Sequence, residues 1–104
     1  MMKRKARSDR NHAIYAITNL VTGEYYIGVT VCSGSMSKAL KVRFQKHVRR
    51  ALTENKDWAL CVSIREFGAE VFAYELIEKV RGKAEAHARE RELTREYSPA
   101  LNTL

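Results

Sequence analysis

Two short runs dominated by β-branched and aromatic residues, His12-Ala13-Ile14-Tyr15-Ala16-Ile17-Thr18 and Tyr25-Tyr26-Ile27-Gly28-Val29-Thr30, flank the polar stretch Asn19-Leu20-Val21-Thr22-Gly23. Such runs favour extended backbone, and a short connection closing on glycine folds one back on the other. The pair therefore reads as an antiparallel hairpin. It sets Tyr15 and Tyr26, eleven residues apart, on neighbouring strands. Two strands alone are marginal in water, so the hairpin needs a further strand or a helix against it.

The remainder of the chain supplies both. Glu70 to Val80 carries Val71, Phe72, Tyr74, Leu76, Ile77 and Val80 and reads as a third strand, with Arg81-Gly82 turning out of it. Ser37 is placed to cap a helix from Lys38 to about Thr53, in which Leu40, Phe44, Val48, Ala51 and Leu52 recur at helical spacing. Asn55 or Asp57 would cap a second helix over Trp58 to Phe67, buried through Leu60, Cys61, Ile64 and Phe67 and stopped at Gly68. Lys83 to about Tyr97 is a run of strong helix formers. The expectation is an α+β fold: a small three-stranded antiparallel sheet flanked by about three helices. A chain of 104 residues has room for one such core, with residues 1–11 a basic flexible tail and 12–104 a single domain.

Nineteen Lys and Arg against twelve Asp and Glu leave a net charge of +7. A small domain with that excess points to nucleic acid, with a ribosome or an anionic membrane surface as competing partners. Five cationic side chains fall in the first eleven residues, a solubilising tail or a phosphate-contacting arm. Cys32 and Cys61 belong to no CxxC pair, which argues for reduced thiols in the cytoplasm over a disulfide scaffold or a zinc site. No apolar run approaches the ~20 residues of a membrane span, so no membrane partner is expected.

Arg43 and His47, four apart on the first helix, share a face, and His47 lies close to the apolar stripe. Lys46 and Arg50 run beside them, and with Lys38 and Lys41 they are candidate nucleic-acid contacts. On the last helix Glu90 lies four after Ala86 and three before Leu93, on the apolar stripe that continues to Tyr97. At ~100° per residue, Glu92 and Glu96 point to the far side, and Glu85 is also off the stripe. An inward-facing carboxylate is costly unless it pairs with a cation such as Arg43 or holds a metal ion.

Taken together, Ala13-Ile14-Tyr15, the Thr-Gly turn, Tyr26-Ile27-Gly28, Arg43-Phe44-Gln45-Lys46-His47, Glu90, Pro99 and Asn102 resemble the ordered motifs of the GIY-YIG nuclease family. Ala13 stands where the family usually has glycine, and the loop between Gly28 and Arg43 is longer than in compact members. The resemblance implies a catalytic set of Tyr15, Tyr26, Arg43, His47 and Glu90, supported by Gly28 and Asn102. It further implies one divalent ion, Mg²⁺ or Mn²⁺, held by Glu90, with Arg43 bracing the phosphate. Tyr15, Tyr26 and His47 compete for the role of general base, and Arg43 or Lys41 would depress the pKa of a phenol beside them.

The function so implied is that of a metal-dependent DNA endonuclease, a phage or mobile-element homing-type enzyme, with repair and restriction roles sharing the same core. RNA remains a candidate substrate. A homodimer on the substrate or a specificity-giving partner protein remain candidate partners, and the 31–37 loop and the N-terminal tail are alternative seats of specificity. The alternative function is a non-catalytic nucleic-acid-binding module or accessory subunit of a larger nucleoprotein complex.

Overall fold

The computed structural model describes residues 10–32, 34–54 and 56–102. The chain forms β1 (Asn11–Asn19), β2 (Tyr25–Val31), α1 (Met36–Arg49), α2 (Ala59–Phe67), β3 (Phe72–Arg81) and α3 (Lys83–Tyr97). A π-helical turn (Arg50–Glu54) follows α1, and a 3-10 turn (Ala69–Val71) precedes β3. The fold is the expected one, a three-stranded antiparallel sheet with three helices, in the order β2-β1-β3. Among the described residues no helix is long and apolar enough to cross a membrane.

β1 is the central strand and is buried almost throughout, so its period of two divides the core. Ala13, Tyr15 and Ile17 point to one face, where Leu40 of α1 and Leu60, Cys61 and Ile64 of α2 cover them. Ile14 points to the other and packs with Ile27 and Leu93 of α3. The pairing with β3 slips at Tyr15, where Ile14 opposes Glu78 but Tyr15 opposes Leu76, so Ile77 is an extra residue bulged out of the ladder.

The hairpin turn is held by Asn19, which is fully buried. Its Oδ1 accepts from Val21 N at 2.9 Å and Thr22 N at 3.2 Å, and its Nδ2 donates to Ser63 Oγ of α2 at 3.0 Å. A polar side chain can be buried this deeply because each of its groups has a partner. At the far end of the chain, Leu101 N donates to Tyr25 O, and Asn102 grips Ile27 with both ends of its amide. Its Oδ1 accepts from Ile27 N and its Nδ2 donates to Ile27 O, each at 2.9 Å. The outer edge of β2 is thereby covered by chain that lies 75 residues downstream.

Several boundaries differ from expectation. Ser35, not Ser37, caps α1: it has extended backbone (φ −70°, ψ 133°) and its Oγ accepts from Lys38 N, so the helix begins two residues early. The α-helical hydrogen bonding stops at Arg49, and the wider π turn carries Leu52 out of the apolar stripe to 66 % exposure. Asn55 lies outside the described residues. Asp57 does not cap α2, because the N-cap position is Trp58, which has no side-chain cap bond and forgoes about 1 kcal/mol of helix stabilisation. Glu70 and Val71 belong to the 3-10 turn, and β3 starts at Phe72. Gly68 ends α2 as expected, at φ 87°. Tyr97, assigned to the buried stripe of α3, is 55 % exposed, because the stripe ends at Leu93. Of the assigned tail, residues 1–9 lie outside the described residues, and Asn11 is the first residue of β1.

Candidate active site

Tyr15 leaves β1 on the face covered by α1 and is 1 % exposed. Its hydroxyl meets two α1 residues one turn apart. Arg43 Nε donates to Tyr15 Oη at 3.2 Å, and His47 Nε2 lies 2.9 Å from the same oxygen. A phenol has one proton to give and lone pairs to accept with, so an oxygen already receiving the arginine N–H donates its own proton to a neutral histidine.

The environment keeps His47 neutral. The residue is 5 % exposed, and burial together with the Arg43 and Arg50 guanidinium groups lowers its pKa to about 4. The phenols move the other way. Burial and the neighbouring Tyr26 phenol push Tyr15 up, and burial also raises Tyr26 despite Arg43 nearby. The expected depression of a phenol by adjacent cations is thus outweighed by desolvation, and Lys41 is not among the groups acting on either tyrosine.

A buried His that is neutral when folded and titrates near 6.5 when unfolded makes stability depend on pH with a definite sign. Between about 4 and 6.5 the unfolded chain binds the extra proton, so this contribution is present above 6.5 and is lost as pH falls through 4. The expected loss is on the order of 2–3 kcal/mol between pH 7 and pH 4. Thermal melts of the wild type and His47→Gln across that range should show a shallower fall of Tm with pH in the variant. Parallel curves would mean that His47 is not the titrating group.

Tyr26 stands opposite Ile17, with its ring centroid 6.1 Å from Tyr15 and 5.1 Å from His47, edge-on to the latter. Gly28, paired with Tyr15, makes this cluster possible. A Cβ there would lie 2.6 Å from Tyr15 Oη and 2.7 Å from Tyr26 Cε1, so any side chain would drive the two rings apart. Asn102 fixes Ile27 between Tyr26 and Gly28, so both site-supporting candidates act on the strand that carries the tyrosine.

The cluster opens into two hollows that share Arg43. One is a cleft of about 320 Å³ containing Tyr26, His47, Arg50, Trp58 and Asn102. The other, about 250 Å³, is lined by Lys38 and Lys46 with Thr30 and Ser35. The four cationic candidates therefore separate: Lys38 and Lys46 flank one side of Arg43, Arg50 the other, and Lys41 is exposed and lines neither. Trp58, read from sequence only as the start of a helix, joins the cleft. The signal was a tryptophan where a capping residue is usual.

On α3, Glu90 is half-buried whereas Glu85, Glu92 and Glu96 are exposed, which is the order that the helical positions predict. It acts on Tyr26 electrostatically, and the alternative of an ion pair with Arg43 is not made. Among the described residues Glu90 has no hydrogen-bond or ion-pair partner. The adjacent Arg89 binds Glu78 and Glu92 instead. The described residues contain no group of three or more His, Cys, Asp or Glu able to enclose a metal ion. A lone, unpartnered carboxylate beside a tyrosine fits a hard octahedral ion that keeps most of its waters.

Residues 11–104 match the family model of the GIY-YIG catalytic domain. Among solved structures, the catalytic domain of the homing endonuclease I-TevI superposes with a TM-score of 0.67 at 20 % identity, over 88 % of this chain and 92 % of that one. A glutamate-to-alanine mutant of the same catalytic domain, described as an intron endonuclease, gives a TM-score of 0.67 at 19 % identity, over 88 % of this chain and 89 % of that one. At these identities the likeness establishes the fold. No protein of curated function matches the chain.

Proposed function

Since the chain belongs to the GIY-YIG family of endonuclease catalytic domains, we propose that it is a metal-dependent DNA endonuclease of the homing type, with Tyr15, Tyr26, Arg43, His47 and Glu90 as its working residues. The observation that supports this most directly is the hydrogen-bonded series Arg43–Tyr15–His47, with Tyr26 packed against it at the edge of an electropositive cleft. An arginine and a histidine brought one turn apart onto a single buried phenol favour a catalytic domain over one that only binds nucleic acid.

Hydrolysis of a phosphodiester needs a water stripped of its proton and charge to offset the pentavalent phosphate. Both phenols are protonated at neutral pH by their ordinary pKa and burial moves them further from ionising, so neither is a preformed base. His47 Nε2 is neutral and open to a proton, but burial and the two arginines have taken its pKa below the value that suits a general base, so its part is to accept the proton as charge develops. Tyr26, which lines the cleft, orients the water, and the neighbouring Tyr15 hydroxyl is the one hydrogen-bonded to His47. As the water's oxygen attacks phosphorus and the bond from phosphorus to the leaving oxygen breaks, the water's proton is taken up through the interacting Tyr26 and Tyr15 hydroxyls by His47 Nε2, and the leaving oxygen takes a proton from solvent. Arg43 lends N–H donors to the phosphate oxygens, where negative charge grows in the transition state. Nucleases of this family depend on divalent metal; Glu90 is the residue that would hold the ion, which supplies Lewis-acid polarisation of the phosphate and stabilises the leaving oxygen. Lys38, Lys46 and Arg50 supply phosphate contacts on either side.

The test is incubation of supercoiled plasmid and of labelled single-stranded DNA with Mg²⁺, Mn²⁺ or EDTA. Nicked or linear plasmid, or shortened single strands, should form with a divalent metal and not with EDTA. Folded protein that cuts neither DNA under any of these conditions would overturn the proposal.

A further inference from the structure

Trp58 is the one tryptophan of the chain, and it stands 41 % exposed in the cleft. The packing of α2 does not require it there. Leu60, Cys61 and Ile64 already bury the apolar face of that helix, and Trp58 occupies the N-cap position without capping it. Its surroundings are cationic: the Arg50 guanidinium carbon lies 5.8 Å and Lys56 Nζ 5.4 Å from the ring centroid. Arg50 opens the π turn and lines the same cleft as Tyr26, Arg43 and His47. A half-exposed indole bordered by two cations is the arrangement on which a nucleobase stacks while its neighbouring phosphates are neutralised.

From this we infer that Trp58 is a stacking platform for a nucleobase flanking the scissile phosphate, with Arg50 and Lys56 binding the backbone that carries it. The inference rests on the nuclease reading above and adds the form of the substrate. A base can cover the indole only when it is out of the duplex stack, so the favoured substrate carries an unpaired or extruded nucleotide beside the cut. Lys56 is exposed, and its ammonium moves from the ring to a phosphate as the base arrives.

With one tryptophan in the chain, indole emission reports on this ring. Wild-type protein in EDTA is titrated with a short single-stranded oligonucleotide and with an abasic oligonucleotide of the same length, binding being followed in parallel by anisotropy of a dye-labelled strand. The base-bearing strand should quench the indole and the abasic strand should bind without quenching it. In cleavage assays Trp58→Ala should raise KM about tenfold, and Trp58→Phe should restore most of the loss. Equal quenching by both strands, or binding without quenching, would overturn the stacking role and leave the nuclease reading intact. No anisotropy change with either oligonucleotide would also overturn the stacking role, and the nuclease reading would fall with it only if supercoiled plasmid too went uncut.

Discussion

Glu90→Ala is expected to lower DNA cleavage by on the order of a thousandfold or more while leaving DNA binding measurable and the fold intact. Loss of the ion's action on the phosphate costs several kcal/mol of transition-state stabilisation, and each ~1.4 kcal/mol is a factor of ten in rate. Binding persists because the cations that line the two hollows, Lys38, Arg43, Lys46 and Arg50, are untouched. The fold persists because Glu90 holds no ion pair or hydrogen bond among the described residues, so its removal strands no partner. Glu92→Ala is the control: that carboxylate is exposed and its ion pair is with Arg89, so its loss should leave the rate within about twofold. If Glu92→Ala were inactive and Glu90→Ala active, the assignment of the metal-binding carboxylate would be wrong. Anisotropy and single-turnover cleavage on one labelled substrate separate binding from rate.

Arg43→Ala is expected to cost about 3–4 kcal/mol of transition-state stabilisation, a fall in rate of two to three orders of magnitude. Two effects combine. The donors facing the phosphate are lost, and Tyr15 loses the N–H that leaves its own proton directed at His47. Lysine should restore little, since a single ammonium cannot both donate to the phenol and brace a phosphate as a planar fork does. The variant also carries a signature independent of cleavage. Arg43 is one of the two cations that depress His47, so its removal should move the His47 pKa upward from about 4, readable by NMR titration of the imidazole. A rate within tenfold of wild type and an unmoved His47 would remove Arg43 from the mechanism.

What could be read before any coordinates were known follows from how local each determinant is. The hairpin, the bounds of α3 and the separation of Glu90 from its neighbouring glutamates rest on periodicity within one element, and the structure shows them as expected. The membership of Arg43 and His47 in one cluster with Tyr15 followed from an i, i+4 spacing together with the resemblance. Non-local or degenerate signals misled. Ser35 and Ser37 are chemically equivalent caps, and the choice falls on the one whose backbone is extended. The π turn has no compositional mark, and it carries Leu52 out of the core. The sequence left open whether cations would depress a phenol, because adjacent cations are legible in sequence and the burial that raises both tyrosines is not. Trp58 went unrecognised because its place beside Arg50 and in the cleft with Tyr26 and His47 arises only in the folded chain.

The amide of Asn102, clasped to Ile27, also orders events in time. Translation proceeds from the N-terminus, so the strand carrying Tyr26 and Gly28 is synthesised long before the residue that clamps it. Until position 102 leaves the ribosome, the outer edge of β2 lacks its last partner and the two tyrosines lack a fixed bed. A nascent or truncated chain that stops short of Asn102 therefore lacks this clamp, and the bed of the two tyrosines is completed only once that residue has emerged.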